Sequence, residues 1–156
     1  MTETLFTDTN YRAWALLNQT RHAIYQIVGK ELRSLGISPA QGAMLLVIKS
    51  INPSPSLGQI GRLLIREHNS VSVLLNKMLR QGLVSKMKDP DRKNVTRVAL
   101  TDKGRKVCKL VMSSETIPRI FSCLSEKESQ QLISNLDKLL DQAHKELGIE
   151  RRLPFV

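Results

Sequence analysis

Residues 82–104 read GLVSKMKDPDRKNVTRVALTDKG. Leu83, Val84 and Met87 stand before a polar hexapeptide and Val95, Val98 and Leu100 after it, so the stretch predicts two short strands joined by a turn. The turn, Asp89-Pro90-Asp91-Arg92-Lys93-Asn94, consists of residues that close hairpins: proline presets φ, and Asp and Asn bond their own backbone. Lys86, Lys88, Arg92, Lys93 and Arg97 are interleaved with the apolar positions. A hairpin this basic suits a phosphate-lined groove, because Lys and Arg there release counterions from nucleic acid.

Immediately upstream, residues 67–80 predict a helix. Val71, Leu74, Leu75, Met78 and Leu79 recur at intervals of three and four and fall on one stripe, and Gly82 stands where a helix stops. Its other face carries His68, Asn69, Ser70, Ser72, Asn76, Lys77 and Arg80, side chains that bond base edges or phosphates, with no acid among them. Before that, Ser56 and Gln59 have capping-box spacing, and Leu57, Ile60, Leu63 and Leu64 form a short amphipathic helix. Short helix, turn, longer polar-faced helix and basic hairpin is the order of a winged helix-turn-helix. In that geometry the second helix enters the major groove and the hairpin reaches the adjacent minor groove.

Charge placement agrees. The 156-residue chain has a net charge of +10, and residues 57–106 hold 12 Lys and Arg against 4 Asp and Glu, leaving only +2 for the rest. An excess gathered into one module points to double-stranded nucleic acid as partner. Apolar residues at 41% suffice for a core, and with aromatics at 4% that core is aliphatic. No run is long enough to cross a bilayer and the start, MTETLFTDTNYRAW, lacks a signal core, so the expected location is cytoplasmic, with no membrane partner.

Cys108 and Cys123 make neither a disulfide framework nor a zinc pair, and His22, His68 and His144 are scattered singly. No metal, no cofactor and no catalytic residue are expected. Both cysteines read as small apolar residues, although Lys106 and Lys109 flank Cys108 and could lower its pKa, which keeps a thiol-based redox sensor as an alternative.

The two ends are helical. In residues 8–35, Trp14, Leu17, Ile24, Val28, Leu32 and Leu35 form a stripe, with Thr7 or Asp8 as cap, and Ser38-Pro39-Ala40-Gln41 opens a second helix. After the hairpin, Thr101-Asp102-Lys103-Gly104 starts a helix that should run to about Cys123, bent near Pro118. Ser125-Glu126-Lys127-Glu128 caps the last helix, with Leu132, Ile133, Leu136, Leu139, Leu140, Ala143 and Leu147 repeating along it. The expected architecture is mainly α with a small β-hairpin wing: an N-terminal dimerisation helix over 1–36, a winged helix-turn-helix over 37–104 and C-terminal dimerisation helices over 105–156. Apolar stripes of this length must be covered, by each other in a monomer or by a second copy, and a two-fold homodimer doubles the base contacts on a palindromic site.

The chain resembles the MarR family of transcriptional regulators over nearly its whole length. The resemblance lies in Ile37-Ser38-Pro39-Ala40-Gln41, residues 57–64, Asn69-Ser70-Val71-Ser72 with Leu74-Leu75 and Met78, and Gly82-Leu83-Val84. It continues in Asp89, Asp91 and Arg92 of the wing, and in Val98-Ala99-Leu100-Thr101-Asp102-Lys103-Gly104. It implies a homodimer joined through terminal helices, a recognition helix in each of two successive major grooves, Arg92 in the flanking minor groove, and repression or activation modulated by a small aromatic or phenolic effector or by thiol oxidation. Val73 departs from the family, standing where many members carry a basic or polar residue, and neither cysteine lies near the N-terminal end of the first helix, where the peroxide-sensing branch keeps its thiol.

The residue roles expected on this reading are specific. His68, Asn69, Ser70 and Ser72 meet base edges, and Asn76, Lys77 and Arg80 hold phosphates. Arg92 enters the minor groove, with Lys93, Asn94 and Arg97 supporting it on the backbone. A ligand pocket, if present, would lie between the first helix and the winged module, drawing on Trp14, His22 and Tyr25, which ordinary packing would equally explain. The expected function is a sequence-specific, non-catalytic repressor. The alternatives are a winged-helix module that docks a protein, and a redox-sensing regulator.

Overall fold

The computed structural model describes residues 8–51, 54–64 and 68–148. The chain divides into two compact units between Pro39 and Ala40.

The first unit is built on helix α1, Thr9–Ser34. Asp8 is its cap: the carboxylate accepts from the Asn10 amide at 2.7 Å, satisfying one of the free amides of the first turn. Its other end closes in a Schellman motif, with the Ile37 amide on the Leu32 carbonyl at 3.1 Å and the Gly36 amide on that of Arg33 at 3.0 Å. Gly29 and Leu32 are its buried residues, while Tyr11, Trp14, Leu16, Leu17, Tyr25 and Ile27 are exposed.

Helix α2, Pro39–Ser50, opens at the division and lies in the second unit from Ala40 onward; its apolar residues face inward on nearly every turn. After it come α3, Leu57–Leu64, and α4, His68–Arg80; Glu67, expected to open the latter, lies outside the described residues. Met44, Leu45, Val47, Ile60, Val71, Leu75, Met78, Leu83 and Val98 are essentially inaccessible and form one aliphatic core. Ser56 and Gln59 make the expected capping box, the Ser56 amide donating to Gln59 Oε1 at 2.8 Å and the Gln59 amide to Ser56 Oγ at 3.3 Å. Gly82, at φ 67°, ends α4 as predicted: its left-handed backbone lets the Leu83 amide reach the Met78 carbonyl at 3.0 Å.

Strand β1, Val84–Lys88, pairs antiparallel with β2, Thr96–Leu100, with Val84 opposite Leu100 and Lys88 opposite Thr96. Val84, Lys86 and Lys88 share a face, since side chains alternate along a strand; only its root, at Val84 and Val98, is buried, and Met87 on the other face is exposed. The free edge of β2 is partly covered by residues 55 and 56: the Val98 amide donates to the Pro55 carbonyl at 2.9 Å, and Ser56 bridges Arg97.

The hairpin leads directly into α5, Asp102–Met112, through Thr101. The Thr101 hydroxyl accepts from the Gly104 amide at 3.0 Å and donates to the Gly82 carbonyl at 2.6 Å, tying the start of α5 to the end of α4. The expected single helix to Cys123, bent at Pro118, is instead two. After Ser113 the chain breaks and restarts as α6, Thr116–Phe121, which puts Pro118 in a first turn, where a missing amide hydrogen leaves no bond unmade. The last helix, α7, is Glu126–Glu146, opened by the capping box of Ser125 and Glu128. Its residues are half-buried or exposed, with Ile133, Leu136 and Leu139 among the exposed, as is Leu147, its C-cap. Among the described residues no helix is long and apolar enough to cross a membrane.

Candidate nucleic-acid interface

Helix α4 turns Val71, Leu75 and Met78 into the core, and this decides what it shows on its other side. Asn69, Val73, Asn76 and Arg80 follow one another at steps of four, three and four residues, so they line a single ridge opposite the buried stripe, with Lys77 beside it. Ser70 is also exposed and Ser72 is half-buried. His68 is the first residue of the helix; its side chain lies outside what is described. No acidic residue occurs in α4, so the ridge combines amide, hydroxyl and cationic groups with no charge that repels phosphate. The far end of the helix is held in place by Gln41, a fully buried side chain on α2 whose Nε2 donates to Gln81 Oε1, and by Lys103, whose Nζ donates to the Gln81 carbonyl at 2.8 Å.

The wing tip is organised by Asp89. One carboxylate oxygen accepts from the amides of Asp91 and Arg92, both at 2.9 Å, while the other accepts from Arg97 Nε. The loop is closed by the Asp89 amide on the Val95 carbonyl at 2.9 Å and by the Val95 amide on the Arg92 carbonyl at 2.8 Å. Burial alone would push the Asp89 carboxyl up, but the Asp91 amide, the Arg97 guanidinium and the Arg92 amide outweigh it and hold its pKa below the ordinary 3.8. With its backbone fixed at both ends, Arg92 presents an exposed side chain at the tip, flanked by exposed Lys93 and Asn94.

Arg97 occupies a different position from these three. Its Nη1 donates to the Ser54 carbonyl at 2.6 Å while Nε is on Asp89, and its side chain is 26% exposed, so two of its donor directions are used within the protein. Sequence reasoning grouped it with the phosphate-facing residues because nothing local marks Ser54, 43 positions away, as its partner. A cleft of about 390 Å³ lies where the wing meets the start of α3, lined by Ser56, Lys86, Asn94 and Thr96 among others. A second, of about 640 Å³, is lined by Lys49 of α2, Ala99 and Leu100 of β2, and Arg105 and Lys109 of α5 among others. Trp14, His22 and Tyr25 line neither; all three are exposed on α1, and His22 Nε2 lies 3.4 Å from Gln26 Nε2.

Cys108 is fully buried and burial pushes its thiol pKa up, with the Lys49 ammonium of α2 pulling the other way more weakly. The flanking Lys106 and Lys109 are exposed, and the cation that acts on the thiol comes from elsewhere in the chain. Cys123 is exposed and its thiol donates to the Ile120 carbonyl at 3.4 Å.

Residues 39–104 match a family model described as a winged helix DNA-binding domain. The chain is 31% identical over 111 residues, 70% of its length and 71% of the relative's, to YkoM of Bacillus subtilis, described as an uncharacterized HTH-type transcriptional regulator. It also superposes on a MarR protein from Peptoclostridium difficile with a TM-score of 0.81, covering 94% of each chain at 22% identity, a likeness of fold. The chain belongs to the MarR family of winged-helix transcriptional regulators. Two further MarR-family likenesses carry information about ligands of those proteins. The chain is 26% identical to Staphylococcus aureus MepR as crystallised with DNA, with a TM-score of 0.75 over 82% of this chain and 96% of that one. It is 25% identical to the organohalide-sensing regulator RdhR in its 2,4-dichlorophenol-bound form, with a TM-score of 0.78 over 90% of this chain and 83% of that one.

Proposed function

We propose that this MarR-family regulator binds a palindromic operator in duplex DNA as a homodimer and represses transcription from the cytoplasm without catalysing a reaction, and that a small aromatic effector relieves it. The observation that carries the reading is the pairing of an acid-free ridge on α4 with a wing whose tip is closed from within, so that Arg92, Lys93 and Asn94 stand free beside it. On this reading His68, Asn69, Ser70 and Ser72 meet base edges, while Asn76, Lys77 and Arg80 take phosphates. Arg92 enters the minor groove with Lys93 and Asn94 on the flanking backbone. Arg97 supports the wing from inside, because its guanidinium is engaged by Asp89 and Ser54.

The homodimer is supported by what the helices α1 and α7 leave uncovered: Trp14 is 65% exposed on α1, and Ile133 and Leu139 on α7 and Leu147 at its cap are 60%, 59% and 62% exposed. Exposed apolar rows of this extent are characteristic of interfaces. The effector is supported by the likeness to RdhR, which is described as organohalide-sensing and binds 2,4-dichlorophenol. Trp14, His22 and Tyr25, exposed on α1 and lining neither cleft, are the side chains that we propose to contact it.

The test is to select bound fragments from a genomic library with the full-length protein, then to footprint them and measure the mass of the complex. Two protected half-sites about 34–36 Å apart, bound by two chains, are expected. A monomer in the complex, or no retention of any duplex at low salt, overturns the reading.

A further inference from the structure

Val73 is 70% exposed, more than any other exposed large hydrophobic side chain among the described residues. Isolated apolar residues are ordinary on protein surfaces; the surroundings of this one are not. It sits in the middle of α4, on the ridge between Asn69 and Asn76, on the side turned away from buried Val71, Leu75 and Met78. Helix formation does not call for it, since a β-branched side chain loses χ1 freedom in a helix and alanine serves better at an exposed site. Nor does packing, since the side chain faces solvent.

We propose that Val73 is a specificity-determining residue that packs its γ-methyl groups against the 5-methyl group of a thymine in the major groove. The proposal rests on the duplex-binding reading above and adds the base that this position selects. The major-groove edges of the four base pairs are polar except at one place, the C5-methyl of thymine. A valine neither donates nor accepts, so that methyl is the one base-edge feature it complements. Facing it, the amino group of cytosine or the acceptors of guanine would lose water with nothing in return, so the same side chain also rejects G·C pairs. The neighbouring Asn69 and Asn76, one helical turn to either side, are free to make the hydrogen-bonded contacts that set the register around it.

The experiment uses the full-length protein and an operator selected from a random-sequence duplex library, in which each thymine in one half-site is replaced in turn by deoxyuridine, a change that removes only the methyl group. For the parent, one replacement should weaken binding about fourfold, the factor that corresponds to roughly 0.8 kcal/mol for one buried methyl, while the others leave it unchanged. Val73→Ala, which keeps α4 helical and removes both γ-methyl groups, should narrow the difference between thymine and deoxyuridine duplexes at that position and should select all four bases there more evenly. If every deoxyuridine duplex binds the parent as tightly as its thymine counterpart, or if Val73→Ala keeps the parent's discrimination, the assignment falls while duplex binding stands. Failure of the parent to retain any duplex removes the function on which the proposal is built.

Discussion

Arg97 and Asp89 meet at the wing so that one carboxylate serves two purposes: it takes the Arg97 guanidinium on one oxygen and the amides of Asp91 and Arg92 on the other. Since Arg97 also donates to the Ser54 carbonyl, the loop that carries Arg92 is tied through Asp89 to the segment ahead of α3. The backbone of Arg92 is thereby positioned before any ligand arrives, which spares the ordering of a free loop on binding.

That arrangement separates two arginines that charge alone treats alike. Arg92→Ala should weaken operator binding and lower the slope of log K against log salt by about 0.9, the value for one lost phosphate contact. Arg97→Ala should weaken binding with the slope nearly unchanged, because the loss is of loop order and not of a phosphate contact. Arg97→Lys should behave in the same way, since an ammonium does not reproduce the guanidinium fork. A fall of about one in the slope for Arg97→Ala would place Arg97 on the phosphate backbone after all.

The pH dependence of the wing follows from the Asp89 carboxyl. Its folded pKa is below the ordinary 3.8, so its contribution is complete above that value and is lost only as the pH falls through the lower folded one. The amide resonances of Asp91 and Arg92 should therefore hold their positions from neutral pH down to the ordinary carboxylate range and move only below it, and in Asp89→Asn they should not move together at all. A common midpoint at or above 3.8 contradicts this.

Gly104 tests the junction between wing and α5. A Cβ built there would lie 1.9 Å from the Leu83 carbonyl oxygen, a backbone atom that already accepts from the Thr101 amide at 3.1 Å and cannot swing aside. Gly104→Ala should cost about 3 kcal/mol, the upper range for an overpacked site, and lower Tm by roughly 6–12 °C. Gly58→Ala is the control: the nearest atom to its Cβ is Ser56 Oγ at 4.0 Å, and stability should stay level or rise in thermal unfolding.

What was legible in the chain before folding was local. The Ser56/Gln59 and Ser125/Glu128 boxes, the Asp8 cap and the Gly82 stop each depend on residues within a few positions of one another, and each is found in the structure. The ridge of α4 was legible for the same reason, because a period of 3.6 fixes which side chains oppose Val71, Leu75 and Met78. Partners brought together by tertiary folding were not. Ser54 for Arg97, Lys49 for Cys108 and Leu83 against Gly104 lie 43, 59 and 21 positions away, and no local pattern announces them. The break after Ser113 was missed because a proline inside a run of helical periodicity reads equally as a kink or as the first turn of a new helix.

The two thiols should differ sharply in reactivity. The thiolate is the form that alkylates and oxidises, and Cys108 is both enclosed and held in the thiol form by its burial, whereas Cys123 is open to solvent. In the native protein iodoacetamide should modify Cys123 alone, and Cys108 should follow only in denaturant, as intact-mass spectrometry would read directly. Cys123→Ser should then leave a native protein inert to the reagent, and its operator binding should be unmoved by peroxide. Native labelling of Cys108 at the rate of a free thiol, or release of DNA from Cys123→Ser by peroxide, would show that α5 opens far enough to expose its core and would return a redox switch to that position.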